Sequence, residues 1–420
     1  MKARVIFLLA SALILAAAFA LAPRPGSPAA QDGSGGATIA VATDLHYLAP
    51  ELTDNGEFFT EMVETADGKA MQHIDELVRA FARQIIDEQP DALILSGDLS
   101  FNGETASHEA LAGILAQIEE SGVPVYVIPG NHDIGISTAA RFIADGYELV
   151  DSPDEAEFED IYRGFGYGEA LSRDGASLSY TARPGPGVRL VMLDVNTRSN
   201  PGVVGAETLG WLESQLAEAR DAGETVIAVS HQNIYAHNSL MTTGYIIENG
   251  GTLYSLYAKY GVICNLAGHI HLQHTADDGR GLPEIVTSSL AVNPNQYGVL
   301  TIDGGQAEYR TESVDVSAWA AGQGLDDPEL LDFAGWSREF FYGSAVNQAL
   351  RQLGGAANAE ALAELYAEAN TNYFAGRGDL TVWDDELFDA WSGHGFFIPI
   401  YLETMRQDNI DHTHMAFQFK

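Results

Sequence analysis

Residues 37–46 read Ala37-Thr38-Ile39-Ala40-Val41-Ala42-Thr43-Asp44-Leu45-His46. A short, mostly apolar run that ends in polar side chains is typical of a buried strand leading into a functional loop. Successive side chains of an extended chain alternate between its two faces, so Asp44 and His46 are expected to point to the same side. The stretch therefore predicts the first strand of a sheet that is covered on both faces and carries a site at its end.

The same pattern returns further along the chain. Short apolar runs predict strands at 92–95, 125–128, 188–195 and 225–229. Amphipathic segments predict helices at 70–88, 107–120, about 137–149 and 207–222, with an acidic loop at about 151–160. Later strands are predicted at 262–266, 284–287, 298–302 and 307–312, with little helix between them. A βαβ-like first half and a strand-rich second half predict an α/β fold, a sandwich of two packed sheets with helices outside.

At about residue 314 the sequence changes from strand patterns to helical patterns rich in aromatic residues. We predict one domain over residues 37–313 and a helical, aromatic-rich C-terminal extension over residues 314–420. One helical stripe, followed by Gly376, consists of Leu362, Leu365, Tyr366, Ala369 and Tyr373. The aromatic residues of the extension are interpreted as core; they are Trp336, Phe340, Phe341, Trp383, Trp391, Phe396 and Phe397.

The N-terminus has the pattern of an export signal. Lys2 and Arg4 precede an apolar stretch over residues 5–22 that ends in small residues. Residues 1–22 are therefore predicted to be a cleaved signal peptide or an uncleaved membrane anchor, and residues 23–36 a flexible linker. Either alternative predicts an exported protein, whether secreted, periplasmic or on the cell surface.

The composition excludes several classes of function. The chain has 21 Lys and Arg against 59 Asp and Glu, a net charge of −38. Such a surface disfavours long nucleic acids, and it leaves an N-terminal anchor as the sole predicted membrane contact. The single cysteine, Cys264, allows no intramolecular disulfide and excludes zinc-finger chemistry. The sequence does not determine the oligomeric state.

Five short segments with metal-ligand side chains stand at or after predicted strand ends. They are Asp44-Leu45-His46, Gly97-Asp98, Gly130-Asn131-His132-Asp133, His231 and Gly268-His269-Ile270-His271. Ligands of an open α/β sheet bind in the loops beyond the carboxyl ends of its strands. A mixture of carboxylate, amide and imidazole donors suits divalent or trivalent Mn, Fe or Zn better than Ca. Glycines before three of these segments allow sharp turns and close approach of the backbone.

The five segments, in this order, resemble the motifs of the calcineurin-like metallophosphoesterases over about residues 39–303. The sequences of residues 43–46 and 97–104 resemble those of the cyclic-nucleotide phosphodiesterase-like branch of this family. The resemblance implies two metal ions bridged by Asp98. One ion would be held by Asp44, His46, Asp98 and His271, and the other by Asp98, Asn131, His231 and His269. It also implies that His132 is a catalytic residue near the leaving oxygen and that Asp133 fixes the loop.

This resemblance implies an enzyme, a metal-dependent phosphoric ester hydrolase. A hydroxide between the two ions would attack the phosphorus of a small phosphate ester. Phosphodiesters, including nucleotides, are favoured because the five segments contain no Lys or Arg to bind a dianionic monoester. A phosphomonoesterase on the same site and a non-catalytic metal-binding module remain the alternatives.

The remaining polar residues are given weaker roles. His73, His108, His274, His412 and His414 are predicted to be exposed. His237 and Tyr297 are candidates for lining the pocket. Asn102 is equally compatible with contacting substrate and with stabilising the turn after Asp98.

Overall fold

Two β-sheets organise the structure. The computed structural model describes residues 36–196, 201–277 and 281–419. The predicted signal segment and nearly all of the predicted linker, residues 1–35, lie outside the described residues. The strands, numbered along the chain, are β1 (Ala37–Ala42), β2 (Ala92–Leu95), β3 (Val125–Val127), β4 (Ala140–Ile143), β5 (Gly146–Leu149), β6 (Ser172–Arg173), β7 (Tyr180–Gly185), β8 (Val188–Leu193), β9 (Thr225–Ser230), β10 (Cys264–Ala267), β11 (His274–Ala276), β12 (Glu284–Val286), β13 (Gln296–Asp303), β14 (Gln306–Ser313) and β15 (His414–Gln418).

The first sheet has the strand order β15-β14-β13-β1-β2-β3, and the second has the order β11-β12-β10-β9-β8-β7-β6. Strands β1, β2 and β3 run parallel to one another, as do β8, β9, β10 and β12. The carboxyl ends of β1, β2 and β3 therefore lie at one edge of the first sheet, and those of β9 and β10 lie at one edge of the second.

The helices pack outside the sheets and form the C-terminal region. They are α1 (Glu57–Thr65), α2 (Ile74–Glu88), α3 (Thr105–Ser121), α4 (Glu155–Ile161), α5 (Ala206–Asp221), α6 (Gly250–Tyr260), α7 (Val316–Gln323), α8 (Pro328–Leu331), α9 (Phe333–Leu353), α10 (Ala359–Phe374), α11 (Asp385–Trp391) and α12 (Phe397–Gln407). Short turns of 3-10 helix occupy Pro50–Leu52, Met71–His73 and Gly378–Leu380, and a kinked π-helical turn occupies Arg163–Tyr167.

The continuous apolar strands are explained by cover on both faces. In β8, Leu190 and Met192 belong to the core that contains residues of both sheets. The alternate residues Val191 and Leu193 belong to a second core, together with Leu212 of α5. Both faces of the strand are thus removed from water, which is the reason for the absence of a polar alternation. The predicted α/β fold of two sheets with helices outside is confirmed.

The helix predicted at about 137–149 is wrong, because this segment forms the β4–β5 hairpin. Phe142 is buried and packs against Phe59, whereas its neighbour Arg141 is exposed and pairs with Glu148 at 3.1 Å. This alternation is the two-residue period of a strand. Ala144 turns the chain with a φ of +52°.

Three further elements were missed or misassigned by sequence reasoning. The predicted acidic loop contains α4, whose first turn is stabilised by a capping box of Asp154 and Glu157. Helix α6 lies between the strands predicted at 225–229 and 262–266, where no helix was predicted. The helical C-terminal region ends in a strand, β15, which pairs antiparallel with β14 and extends the first sheet. Strand pairing with a distant segment leaves no local signal in the sequence.

The C-terminal helices share a core with part of the second sheet, including Ala267 of β10 and Val286 of β12. Helix α10 carries the predicted stripe, and Tyr366 and Tyr373 on it are buried. Among the aromatic residues interpreted as core, Phe341 and Trp391 are buried. Phe396 and Phe397 contradict that interpretation, since they are 81% and 53% exposed.

Candidate metal centre and active site

The five predicted segments meet at the adjoining strand ends of the two sheets. Asp44 and His46 follow β1, Asp98 follows β2, and Asn131 follows β3. From the second sheet, His231 follows β9, and His269 and His271 follow β10. Parallel strands present their carboxyl ends at one edge, so residues far apart in the chain converge there.

The backbone is strained at these positions. Nine described residues other than glycine have a positive φ, and five of them are predicted ligands: Asp44, His46, Asp98, His269 and His271. Left-handed backbone is uncommon for such residues and costs about 1–3 kcal/mol at each position. The surrounding fold must supply that free energy, and strain of this kind concentrates at functional sites.

The glycines before the ligands permit close contacts, as the sequence predicts. A Cβ atom on Gly130 would lie 2.1 Å from Asp98 Oδ1. A Cβ on Gly268 would lie 1.9 Å from Thr43 Oγ1 and 2.6 Å from Asp44 Oδ2. Any side chain at either position would displace the ligand-bearing loops.

The first cluster consists of Asp44, His46, Asp98 and His271, whose ligand atoms all lie within 4.8 Å of one another. His271 Nε2 lies 3.3 Å from Asp44 Oδ1, and His46 Nε2 lies 3.9 Å from the same oxygen. Asp44 Oδ1 is buried without a hydrogen-bond partner. A buried carboxylate oxygen faced by two imidazole nitrogens fits a metal ion.

The second cluster consists of Asp98, His231 and His269, again within 4.8 Å. His231 Nε2 lies 3.4 Å from Asp98 Oδ2 and 3.1 Å from the side-chain oxygen of Asn131. Asp98 belongs to both clusters, which is the geometry expected of a carboxylate shared by two ions. All seven residues predicted as metal ligands are therefore brought together; that they bind metal stays a prediction.

Each cluster is held by hydrogen bonds from the opposite side of the ligand. Asp44 Oδ2 accepts from the Thr43 hydroxyl at 2.7 Å and from the His269 backbone N–H at 2.9 Å. Asp98 Oδ1 accepts from the backbone N–H of His132 at 2.8 Å. The second oxygen of each carboxylate is thereby left for the cluster, which is how supporting contacts orient metal ligands.

The histidines of the second cluster are oriented in the same way. His231 Nδ1 lies 2.9 Å from the carbonyl oxygen of Ser96, so Nδ1 carries the proton and Nε2 faces Asp98. His269 Nε2 donates to the carbonyl oxygen of Gly244 at 3.0 Å, which leaves Nδ1 as its ligand atom. These contacts fix the tautomers that a metal site requires.

Electrostatics keep the carboxylates ionised. Burial raises the pKa of Asp44, but the close contact and the charge of His271 lower it more, so that it lies well below its usual range. Burial likewise raises the pKa of Asp98, and His231 lowers it more. Both groups are therefore anionic near neutral pH, as ligation requires.

The pKa values of the cluster histidines are shifted in opposite directions. Burial lowers the pKa of His231, but the charge and hydrogen bond of Asp98 raise it to about 9. Burial and the charge of His231 lower the pKa of His269 to about 4. Burial lowers the pKa of His46 well below its usual range, and the positive charge of Lys69 lowers it further. His231 thus reports a strongly negative site, which a cation would neutralise.

Sequence comparison identifies the family that carries this arrangement. Residues 37–273, more than half of the chain, match the calcineurin-like phosphoesterases. The chain belongs to this family. Residues 315–412 match a second family, the C-terminal domain of cyclic nucleotide phosphodiesterase. The resemblance inferred from the motifs is confirmed, and the phosphoesterase is a metal-dependent phosphoric ester hydrolase.

Its named relatives are phosphodiesterases. A probable cyclic nucleotide phosphodiesterase of Fibrobacter succinogenes is 25% identical over 207 residues, covering 49% of this chain and 67% of the relative. A cAMP/cGMP dual specificity phosphodiesterase of Mycobacterium tuberculosis is 28% identical over 203 residues, covering 48% and 54%. A probable glycerophosphodiester phosphodiesterase of Arcobacter nitrofigilis is 25% identical over 241 residues, covering 56% and 76%.

His132 stands beside the first cluster of the phosphoesterase. Its ring centroid lies 5.5 Å from that of His46, edge to face. Nδ1 lies 3.0 Å from the side-chain oxygen of Asn102, to which it donates. Asn102 also donates to Thr138, so it fixes the turn and the His132 ring together. These contacts support the turn-stabilising role of Asn102 and add a further one, the positioning of His132; contact with substrate stays a prediction.

Asp133 makes the contacts of a loop-fixing residue. Its carboxylate accepts from the backbone N–H groups of Leu99, Ser100 and Gly130 at 3.1, 2.9 and 2.7 Å. The loops after β2 and β3 are therefore tied to each other, which agrees with the predicted role.

A cavity of about 550 Å³ opens beside His46 and His132. Its other lining residues are Met62, Val63, Ala66, Asp67, Lys69, Met71, Phe101, Asn102 and Phe142. The lining thus combines polar side chains, including the proposed ligand His46, with several apolar ones. Sequence reasoning missed Lys69 and Asp67, because they follow α1 in a loop that carries no motif.

Four histidines differ from the prediction in their exposure to solvent. His73, His108, His274 and His412 were expected to be exposed, but all four are buried; His414 is exposed, as expected. The ring nitrogens of His108 contact the Tyr162 hydroxyl and the Asp133 carbonyl oxygen, each at 2.9 Å.

The two weak pocket candidates do not line the cavity. His237 contacts His274 at 2.8 Å and Glu284 at 3.1 Å. The buried hydroxyl of Tyr297 donates to Glu88 at 2.7 Å. Each is a buried polar residue whose partners come from distant segments, which explains why the sequence alone did not reveal its place.

Proposed function

We propose that this phosphoesterase hydrolyses phosphodiesters with a dinuclear metal centre. The observation that carries the proposal is the position of Asp98, which belongs to both clusters of potential ligands. Two adjoining sets of ligands with a shared carboxylate suit a pair of ions acting on one phosphate group.

The ligands would divide as the motifs imply. Asp44, His46, Asp98 and His271 would hold one ion, and Asp98, Asn131, His231 and His269 the other. Nitrogen and oxygen donors without a thiolate support Mn, Fe or Zn. When bound, such ions lower the pKa of water and neutralise the charge of the phosphate group.

His132 would act on the leaving group. Since Nδ1 donates to Asn102, Nε2 is the atom left to face the ester oxygen. In the imidazolium form, Nε2–H would donate its proton to that oxygen and leave a neutral ring that keeps Nδ1–H. Asp98 Oδ1 accepts from the His132 backbone N–H. The carboxylate shared by the two clusters therefore also fixes the backbone from which the His132 ring extends.

The cavity supports diesters over monoesters. Its apolar lining residues, among them Met62, Phe101 and Phe142, offer contacts for an organic group of the ester. The named phosphodiesterase relatives support the same class. The five ligand-bearing segments contain no Lys or Arg, but Lys69 lines the cavity and would suit a dianionic monoester. Phosphomonoesters therefore remain the second candidate. A non-catalytic module is disfavoured because every predicted ligand and His132 are present at one site.

We also propose that the protein is exported, on the basis of the charged, apolar and small-residue pattern of residues 1–22. None of the helices in the described ranges has the length and apolar character that a membrane crossing requires. Fractionation of cells producing the full chain tests this proposal, with cytoplasmic recovery as the contrary result.

The activity is tested with a substrate panel on Mn-, Fe- and Zn-loaded protein. The panel pairs bis(p-nitrophenyl) phosphate with p-nitrophenyl phosphate and adds cyclic 2′,3′- and 3′,5′-nucleotides. We expect kcat/KM to be higher for the diesters, at least about tenfold. A preference for the monoester would support the second candidate, and no hydrolysis by any metal form would refute the proposal.

A further inference from the structure

Lys69 carries the positive charge of the cavity beside His46 and His132. Of the described residues that line this cavity, it is the only Lys or Arg. Lys69 lines the same cavity as His46, one of the proposed metal ligands, so its charge lies on the side of the metal clusters where a substrate would bind. The chain has 59 acidic residues and a net charge of −38, so most of its surface repels an anionic ligand. A cation in the cavity attracts such a ligand at this one place.

Lys69 is mostly buried, and its observed partner is not. The Lys69 side chain is 13% exposed, whereas that of Asp67, with which it pairs, is 54% exposed. Burial of an ammonium group is costly, and an ion pair with a half-exposed carboxylate offsets little of that cost. The Lys69 ammonium therefore has the capacity to bind a second anion inside the cavity.

The backbone holds Lys69 from its C-terminal side. Ala70 donates its N–H to the carbonyl oxygen of Ala291 at 2.8 Å, and Met71 donates to the carbonyl oxygen of Lys69 at 2.8 Å. Lys69 also forms a β-bridge with Val292. These contacts fix where the Lys69 side chain leaves the backbone.

Helix α9 of the C-terminal region holds the other side of the same loop. The Ser344 hydroxyl donates to the carbonyl oxygen of Ala66 at 3.2 Å. Gly68 has a φ of +82°, and a Cβ there would lie 2.6 Å from the ring of the buried Phe341. The loop of residues 66–69, here called the lysine loop, is thus packed against a helix that does not itself line the cavity.

We propose that Lys69 binds the anionic phosphate group of the substrate and that α9 positions the lysine loop for this contact. This inference rests on the proposed function. It assigns the C-terminal region a part in substrate recognition through the lysine loop.

The first test measures the binding of inorganic phosphate to metal-loaded protein by calorimetry. Lys69→Met is compared with Lys69→Arg and with Lys259→Met, which removes an exposed lysine paired with Glu213 on the protein surface. A charge-assisted hydrogen bond contributes enough that Lys69→Met should weaken phosphate binding about tenfold or more. Lys69→Arg should recover part of the loss, and Lys259→Met should bind as the wild type does.

Metal content is measured on the same samples. Wild-type affinity in Lys69→Met overturns the proposal. Loss of metal from Lys69→Met also overturns it, since Lys69 would then support the metal site instead of binding substrate. If the wild type hydrolyses no ester but Lys69→Met still weakens phosphate binding, the proposed function fails and Lys69 is left as a phosphate-binding residue without a role in hydrolysis.

The second test addresses α9. Gly68→Ala forces a Cβ against Phe341 and should displace the lysine loop. Gly122→Ala is the matched control, because Gly122 also has a positive φ, +102°, but its Cβ would have no neighbour within 4 Å. We expect Gly68→Ala and Ser344→Ala to raise KM for the best substrate of the panel, with kcat nearly unchanged.

A positioning role also predicts non-additivity, since residues that act through Lys69 have nothing left to act on once it is removed. Ser344→Ala in the Lys69→Met background should therefore raise KM no further. Additive effects on KM, or an effect of Gly68→Ala no larger than that of Gly122→Ala, would overturn the role of α9. Circular dichroism and thermal unfolding confirm that each variant is folded.

Discussion

The Nε2 atoms of His46 and His271 lie 3.1 Å apart, although 225 residues separate the two histidines in the chain. Their rings meet edge to face, with centroids 5.0 Å apart, and both nitrogens approach Asp44 Oδ1. His231 and His269 form a second pair of this kind, with centroids 4.9 Å apart. In both pairs the ring planes are strongly inclined to each other, so their in-plane lone pairs are able to converge on one ion.

A third cluster lacks this geometry. His274, Asp408 and His412 also offer ligand atoms within 4.8 Å. The rings of His274 and His412, however, are stacked, with centroids 3.7 Å apart and planes inclined by 25°. Nearly parallel rings direct their lone pairs side by side and not towards one point. We therefore treat this cluster as a hydrogen-bonded network.

The shared position of Asp98 makes it the most sensitive residue of the site. Asp98→Ala removes a ligand from both clusters and the acceptor of the His132 N–H, so we expect loss of both metal ions and a fall in kcat/KM of about a thousandfold or more. Metal content and diester hydrolysis measure these effects. Asp408→Asn is the matched control, a carboxylate between two histidines in the third cluster, and it should leave metal content unchanged. Near-normal turnover in Asp98→Ala would refute the assignment.

The role of His132 predicts a different result. His132→Ala keeps every proposed ligand, so metal content should stay at the wild-type value while kcat falls about a hundredfold. The loss should be larger for esters with poor leaving groups, because these need a proton most. Loss of metal from this variant would show that His132 is a ligand and that its assigned role is wrong.

Asn102 should act through His132. Asn102→Ala removes the acceptor of Nδ1–H, so the ring loses its orientation but keeps its chemistry. We expect a smaller fall in kcat than in His132→Ala and no additional fall when the two substitutions are combined. A fall in the double variant equal to the product of the single effects would contradict this coupling.

The sequence predicted those parts of the molecule in which the functional residues directly follow a recognisable strand pattern. Strand β1 and the pair Asp44 and His46 are an example, since an apolar run and the ligands that follow it are contiguous. The place of Lys69 was not predictable, because it depends on contacts of its neighbours Ala70 and Gly68 with Ala291 and Phe341, which come from distant parts of the chain.

Buried histidines show the same limit. His108 sits on an amphipathic helix, where a polar residue ordinarily faces water. Its burial follows from Tyr162 and Asp133, which reach it from later segments. The β4–β5 hairpin was missed for a related reason, because the packing of Phe142 on Phe59 outweighs the local helical pattern.

Close approach at Gly268 predicts a steric effect on the site. In Gly268→Ala the new methyl group would meet the side chains of Thr43 and Asp44, so the loops carrying both clusters must shift. We expect weakened metal binding and loss of most activity. Gly251→Ala on α6, where a Cβ has no neighbour within 4 Å, should leave metal binding unchanged. Equal metal affinities in the two variants would contradict the steric argument.

The network of the third cluster predicts how stability depends on pH. His274 Nε2 donates to Asp408 at 2.7 Å, and His412 Nε2 donates to the same carboxylate at 3.1 Å. His274 Nδ1 lies 2.8 Å from His237 Nδ1, and His237 in turn contacts Glu284. Two carboxylates and three histidines thus join β11 and β12 to the end of α12.

Burial lowers the pKa of His274 from 6.5 to about 4 in the folded protein. The unfolded chain therefore takes up this proton at a higher pH than the folded protein does. The contribution of His274 to the free energy of unfolding is fully present above about pH 6.5, and it is lost as the pH falls towards 4. Such a change in pKa corresponds to about 3 kcal/mol.

Burial raises the pKa of Asp408, but the hydrogen bonds with His274 and His412 lower it more, to below its usual value of 3.8. A depressed carboxyl pKa contributes stability that is lost only as the pH falls below that usual value. Between pH 6.5 and 4, the stability contributed by Asp408 is therefore retained, whereas that contributed by His274 is lost.

His274→Gln removes the titrating group and should flatten part of the decline in the free energy of unfolding between pH 7 and 4.5. Denaturant unfolding at several pH values measures the slope, with protein of constant metal content. His414→Gln is the control, because His414 is exposed on β15 and should leave the slope as in the wild type. Because the slope equals the difference in bound protons between the two states, a slope in His274→Gln equal to that of the wild type would mean that folding leaves the proton affinity of His274 unchanged.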